Sequence, residues 1–131
     1  MPNALARPLA GIRVLDLTVA LAGPYGSLLL GGMGAEVIHV ESPGGGDIAR
    51  TNPPFVGAGG THFGGRREDE ISLTVLNRAR NKKSLTLDLK SPQGHALFMR
   101  LAKECDVVIE NMSEGATARL GVDYERVREA N

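Results

Sequence analysis

One cysteine, Cys105, is all that this 131-residue chain contains. A single thiol excludes an intramolecular disulfide and fits a reducing compartment. Because Cys105 closes a helical pattern, it reads as a small buried hydrophobe and not as a nucleophile. A surplus of one charge is also missing: 15 Lys and Arg balance 15 Asp and Glu, for a net charge of +0. No general positive field is there to hold a nucleic acid, although the balance leaves room for one local basic patch facing a phosphate. Between Leu17 and Ala35 charge is absent altogether, over nominally the length of a membrane span. Pro24 and the glycines at 23, 26, 31, 32 and 34 interrupt that stretch, and its apolar residues divide into a strand-like and a helix-like block. It is therefore expected to be a buried strand, loop and helix, with no membrane partner. No secretory signal is evident, since Arg7, Arg13 and Asp16 interrupt the start and no apolar core precedes them. The default location is the cytoplasm.

What is present is an alternation of strand and helix signals. Met1 to Pro8 reads as a loose tail, and Ile12 to Leu17 as a short β-rich strand. Thr18 to Gly23 reads as a loop. Pro24 opens a helix, because its missing N–H would be unpaired in the first turn anyway, and Gly31, Gly32 and Gly34 end it. Glu36 to Glu41 is the next strand. Strand, helix and strand within about thirty residues form a βαβ unit, whose two strands lie parallel. From Ser42 to Glu70 the repeated Gly-Gly and Pro-Pro pairs prevent any regular element of length. An excursion this long is expected to be functional or disordered. Arg66 to Glu70 reads as a solvated charge cluster. Ser84 to Leu89 alternates polar and apolar, as a strand with one buried face does. Ser91-Pro92 supplies an N-cap and a first-turn proline for a helix. Its stripe of Leu97, Phe98, Leu101 and Ala102 runs to Cys105. Val107 to Ile109 is a further strand, and Asp123 caps a last helix. The expected class is α/β, a Rossmann-like parallel sheet with flanking helices.

Two chemistries are disfavoured by what these elements lack. A dinucleotide site needs a glycine fingerprint in the first strand-to-helix turn, so that backbone N–H groups can approach a pyrophosphate. Thr18 to Pro24 does not have it, although Glu41 ends the second strand where an acid could meet a ribose. A nicotinamide-dependent oxidoreductase is therefore not expected. His39, His62 and His95 lie far apart with no metal-ligand spacing and no cysteine beside them, so no metal is expected. Of the three, only His62, in the glycine-rich loop, is kept as a candidate. Asp16 reads as structural, orienting the turn that follows it.

The most informative stretch is Glu110-Asn111-Met112-Ser113-Glu114-Gly115-Ala116, continued by Arg119-Leu120-Gly121. It follows Val107-Val108-Ile109, at the kind of strand end where α/β proteins place ligand-binding loops. A strand, then E-N-hydrophobic-x-x-G, then an Arg before Leu-Gly, resembles the class III CoA-transferase family. That family includes formyl-CoA and carnitine CoA-transferases and α-methylacyl-CoA racemases. Leu9-Ala10-Gly11-Ile12-Arg13-Val14-Leu15-Asp16-Leu17, Ala22-Gly23-Pro24, Gly34-Ala35-Glu36-Val37-Ile38 and Asn81 through Lys90 carry the same resemblance. The blocks fall in family order and cover nearly the whole chain.

The resemblance implies coenzyme A as ligand, as the acyl carrier of the substrate. Its contacts map to Leu21 and Ala22 in the first turn, to Leu87, Asp88, Leu89 and Lys90, to Asn111, Met112 and Ser113, and to Arg119. Small turn residues let a backbone come close, Lys90 offers a point charge and Arg119 a planar fork for phosphate, and Asn111 can donate and accept. In one place the chain departs from the pattern. Many members carry a basic residue directly after the acid that ends the second strand, where this chain has Ser42. Ser42 can hydrogen-bond a phosphate but brings no charge, and Arg50 is a candidate to compensate.

The resemblance further implies transfer of CoA from an acyl-CoA donor to a carboxylic acid acceptor, through an aspartyl anhydride and an enzyme-CoA thioester. In the racemase members acid and base residues instead move a proton α to the thioester carbonyl. The family's aspartate and the racemase histidine lie beyond Asn131, so no catalytic residue is assigned. The chain is expected to be the incomplete N-terminal part of a larger fold, in which two chains interlock as a homodimer. Taken alone it should leave a strand edge and an apolar face uncovered. The alternative from another class is a non-catalytic CoA-binding module.

Overall fold

The computed structural model describes residues 7–131, so the expected tail at Met1 to Pro8 lies outside the described residues but for Arg7 and Pro8. The elements run β1 (Arg13–Asp16), α1 (Ala22–Gly32), β2 (Glu36–Glu41), a 3-10 turn (Ile48–Thr51), β3 (Phe55–Gly57), β4 (Gly60–His62), β5 (Ile71–Ser72), α2 (Leu73–Arg78), β6 (Lys82–Thr86), α3 (Pro92–Ala102), β7 (Val107–Ile109), α4 (Ala116–Leu120) and α5 (Tyr124–Ala130). β6, β2, β1 and β7 form one parallel sheet in that spatial order. The parallel βαβ unit read from the first forty residues is β1, α1 and β2.

Alternation along the strands assigns the two faces. Val14 and Val37 point to one side, where Leu30 of α1 packs on them. Leu15, Leu17 and Val40 point to the other, onto Phe98 and Ala102 of α3 and Val127 of α5. Phe98 is fully buried, and burying one such side chain contributes roughly 1.5–3 kcal/mol. Cys105 closes this second cluster, and burial pushes its thiol pKa up, as expected of packing and not of a nucleophile. No helix among the described residues is long and apolar enough to cross a membrane.

Four expectations need correction. α1 begins at Ala22, not Pro24: the Tyr25 N–H donates to the Leu21 carbonyl, so Pro24 sits two residues deeper, still among the N–H positions that have no helical partner. β6 spans Lys82–Thr86 in place of Ser84 to Leu89. Lys82 joins the strand because its ammonium finds buried acceptors. Asp88 ends the run, its carboxylate accepting from the Lys90 N–H and its carbonyl from the Ser91 N–H. The glycine-rich excursion holds short elements, the 3-10 turn and a small antiparallel sheet ordered β4-β3-β5, and α2 follows it unforeseen. Finally, Glu70 is not solvated. Its buried carboxylate accepts from the Arg67 N–H and meets His62 Nε2 at 2.8 Å, which holds its pKa below the ordinary range. A buried carboxylate needs such partners, and the hairpin brings them.

Candidate functional site

Parallel strands place all their carboxyl ends on one rim. That rim carries, in spatial order, Leu87 to Lys90 after β6, Ser42 after β2, Leu21 and Ala22 after β1, and Asn111 to Ser113 after β7. Segments far apart in the chain are thereby gathered, as the separation of 92 residues between Val19 and Asn111 shows. β1 feeds α1 toward β2 on one face, while α3 carries the chain from β6 across to β7 on the other. The strand order therefore reverses between β1 and β7, and the crevice at such a switch point is where open α/β sheets bind ligands.

The turn from β1 to α1 forms one wall of the crevice and is braced along its length. The buried Asp16 carboxylate accepts from the N–H and Oγ1 of Thr18 at 2.9 and 2.5 Å. Asn111 forms a reciprocal pair with Val19: Val19 N–H donates to Asn111 Oδ1 at 2.9 Å, and Asn111 Nδ2 donates to the Val19 carbonyl at 3.0 Å. Ala20 has a left-handed backbone, φ +68, unusual for a residue with a Cβ. Its N–H donates to Asp47 Oδ1 at 3.1 Å, and its carbonyl accepts from Arg78 Nη1 at 2.5 Å. Gly23 lies so close to Thr18 that a Cβ there would stand 2.3 Å from the Thr18 Cβ. Leu21 caps α1 without a side-chain bond, and no acid sits in the first turn. Among the described residues, the N–H groups of Leu21, Ala22 and Gly23 have no acceptor and the helix dipole there is uncompensated, which suits an anion.

The remaining positions read from the sequence differ in what their side chains are free to do. Lys90 and Arg119 are exposed and form no ion pair among the described residues. Arg119 stands in the last turn of α4, its Nη1 beside Gly115. Ser42 and Ser113 are exposed, and their carbonyls accept from Gly46 and Ala116. Leu87 is buried in the core, its N–H bonded to the Glu41 carbonyl. Leu89 and Met112 pack partly against the same core. Leu87 and Leu89 can thus offer a ligand mainly backbone or an apolar edge, Asp88 its exposed surface. Asn111 spends its amide on Val19. Arg50 is held by Glu41, with both contacts at 2.6 Å, and so is not a loose substitute for the missing charge at Ser42. The hydrogen bonds from the Arg50 guanidinium bring the Glu41 pKa down to about 2, against the opposing effect of burial. Of the histidines, His95 Nε2 bonds the Gly121 carbonyl, and His62 is tied to Glu70 away from the rim.

A buried polar cluster under the turn went unnoticed in the sequence. Lys82 Nζ, almost without exposure, donates to Ser27 Oγ at 2.7 Å, the Pro24 carbonyl at 2.9 Å and Asp16 Oδ2 at 3.1 Å. Ser27 Oγ also donates to Asp16 Oδ2 at 2.6 Å. His39 Nδ1 stands 3.2 Å from that oxygen without the alignment of a hydrogen bond. Burial pushes the Asp16 pKa up, but contact with His39 and the bonds from Ser27 and Thr18 outweigh it and hold the carboxyl well below its ordinary range. Only a Lys preceding a strand pattern could have pointed to this cluster, and such lysines are ordinarily solvated. Among the described residues no three His, Cys, Asp or Glu side chains are grouped to hold a metal ion.

Comparison with known proteins bears on the family and the fold. Residues 9–131 match the model of CoA-transferase family III. The chain is 43% identical over 124 residues to succinyl-CoA:glutarate CoA-transferase of Homo sapiens, covering 94% of this chain and 26% of the human protein. It is 44% identical over 132 residues to succinate--glutarate CoA-transferase of Agrobacterium fabrum, covering 100% and 31%. The crystal structure of a CAIB/BAIF family protein from Brucella suis superposes with a TM-score of 0.81 at 38% identity, over 95% of this chain and 31% of that one. The chain thus spans between a quarter and a third of the length of these relatives.

Proposed function

The chain belongs to CoA-transferase family III, and on that premise we propose that residues 1–131 are the N-terminal part of the large, CoA-binding domain of an enzyme that moves CoA from an acyl-CoA to a carboxylic acid. The observation that carries the reading is the rim. A switch-point crevice, N–H groups at the start of α1 that have no acceptor among the described residues, and the exposed cations Lys90 and Arg119 suit the phosphates of a CoA nucleotide. Ser42 offers those phosphates a hydroxyl, and the backbone of Leu87 to Leu89, with Met112 and Ser113, completes the wall along the pantetheine arm. Transfer, and not racemisation, is favoured by the names of the relatives, and succinate and glutarate are the first acids to try.

In the proposed reaction an aspartate carboxylate, supplied from outside residues 1–131, attacks the thioester carbonyl and expels CoA as thiolate, leaving an acyl anhydride. The thiolate then attacks the aspartyl carbonyl, releasing the donor acid and forming an enzyme-CoA thioester. The acceptor carboxylate repeats the two steps in reverse. Residues 1–131 contribute by holding CoA fixed, so that the thiolate returns to the right carbonyl and not to water. The whole enzyme is read as an interlocked cytoplasmic homodimer.

Isothermal titration of the polypeptide carrying this chain with CoA and with NAD tests the ligand. Saturable CoA binding without NAD binding is expected, and no CoA binding would overturn the reading. Mass-spectrometric detection of glutaryl-CoA from succinyl-CoA and glutarate then tests the chemistry. If CoA binds but no acid among a dicarboxylate panel accepts it, the non-catalytic alternative replaces transfer.

A further inference from the structure

The glycine-rich excursion and α2 each send one side chain to the same residue in the turn from β1 to α1. Ala20 is held from both sides: Asp47 accepts its N–H and Arg78 donates to its carbonyl. Asp47 is itself fixed, its N–H donating to Glu41 Oε2 at 3.0 Å and its Oδ1 also accepting from Ala49 at 2.8 Å. Glu41 in turn is locked by Arg50 and by Ser84 Oγ at 2.9 Å. Ala20 needs such restraint, because a left-handed backbone is disfavoured for a residue with a Cβ, and such conformations persist only where surroundings over-determine them. The residue that follows is Leu21, the first of the N–H groups at the head of α1 that have no acceptor among the described residues.

We propose that Asp47 and Arg78 are positioning residues for coenzyme A. By clamping Ala20 they hold the left-handed turn that directs the Leu21 and Ala22 N–H groups at the ligand's phosphates. Neither touches the ligand. The proposal rests on the CoA reading of the rim, and it gives the excursion a function, the delivery of Asp47 to the turn.

A double-mutant cycle in the polypeptide that carries this chain tests it, with CoA affinity read by isothermal titration and folding by circular dichroism. Glycine adopts the left-handed conformation without the Cβ penalty, so Ala20→Gly should replace the clamp. Arg78→Met is expected to weaken CoA binding on the order of tenfold, matching loss of a restraint worth the left-handed penalty. Ala20→Gly alone should bind within about twofold of the parent, and Arg78→Met/Ala20→Gly should recover most of the loss. Full affinity in Arg78→Met, or a double variant as weak as Arg78→Met alone, would overturn the proposal while leaving the CoA site standing. Failure of the unaltered protein to bind CoA would remove both. If Arg78→Met loses its fold, Asp47→Ala with and without Ala20→Gly decides the same cycle. Asp47→Asn, which keeps an acceptor oxygen for the Ala20 N–H, should bind as the parent does.

Discussion

Glu41 shows at the scale of one residue how a strand end serves the site. The acid that could have met a ribose instead ties the loop behind it, through Arg50 and the Asp47 N–H. Its pKa falls from the ordinary 4.5 to about 2 on folding. A carboxyl whose pKa is depressed in the native state stabilises that state above its unfolded value and ceases to do so as it is protonated. The contribution of Glu41 should therefore be complete above about pH 4.5 and lost as pH falls toward 2. Thermal midpoints across that range should drop more steeply for the parent than for Glu41→Gln; parallel curves would contradict the assignment. Asp16 is displaced in the same direction and adds to the acid sensitivity.

At the scale of elements, the approach of α3 to the rim depends on one missing side chain. Ser91 caps the helix through the Gly94 N–H at 3.0 Å, and Gly94 then presses against the preceding turn. A Cβ at Gly94 would lie 1.9 Å from the Asp88 carbonyl oxygen, which is backbone and cannot swing aside. Gly94→Ala would ordinarily favour a helix; here overpacking should cost about 1–3 kcal/mol and displace Asp88 to Lys90. Urea unfolding should show the loss, and CoA affinity should fall with it. Unchanged stability would mean that α3 has slack at its start. The cap and proline at Ser91-Pro92 were plain in the sequence because both act within one turn. That β6 starts at Lys82 was not, because the strand begins where an ammonium meets acceptors on α1 and β1.

For the molecule as a whole, the open surfaces matter most. Among the described residues neither β6 nor β7 has a strand on its outer side. A groove of about 990 Å³ runs beside β7, lined by Val107, Val108, Ile109, Val122 and Val127 among others. On α1, Leu21, Tyr25, Leu29 and Met33 form an exposed stripe at every fourth position. Unpaired strand edges and contiguous apolar surface favour association. The 131-residue chain produced alone is therefore expected to self-associate, with a sedimentation mass that rises with concentration, and to unfold without a sharp transition. A monodisperse monomer with cooperative melting would refute this.

Local patterning was enough to establish the α/β class, the parallel order implied by β1, α1 and β2, the limits of β2 and β7, and the caps at Ser91 and Asp123. These depend on periodicity and on bonds that close within a few residues. The family resemblance, and not that patterning, marked the segments that meet on the rim, and they meet there because parallel strands share a carboxyl end. What their side chains do was settled by the assembled sheet alone. Asn111 turns to Val19, 92 residues away, Asp47 reaches Ala20 across 27, and Lys82 finds Asp16 across 66. Partners at such separations are chosen by strand order and helix placement, so a buried clamp and a solvated surface charge look alike until the sheet is in place.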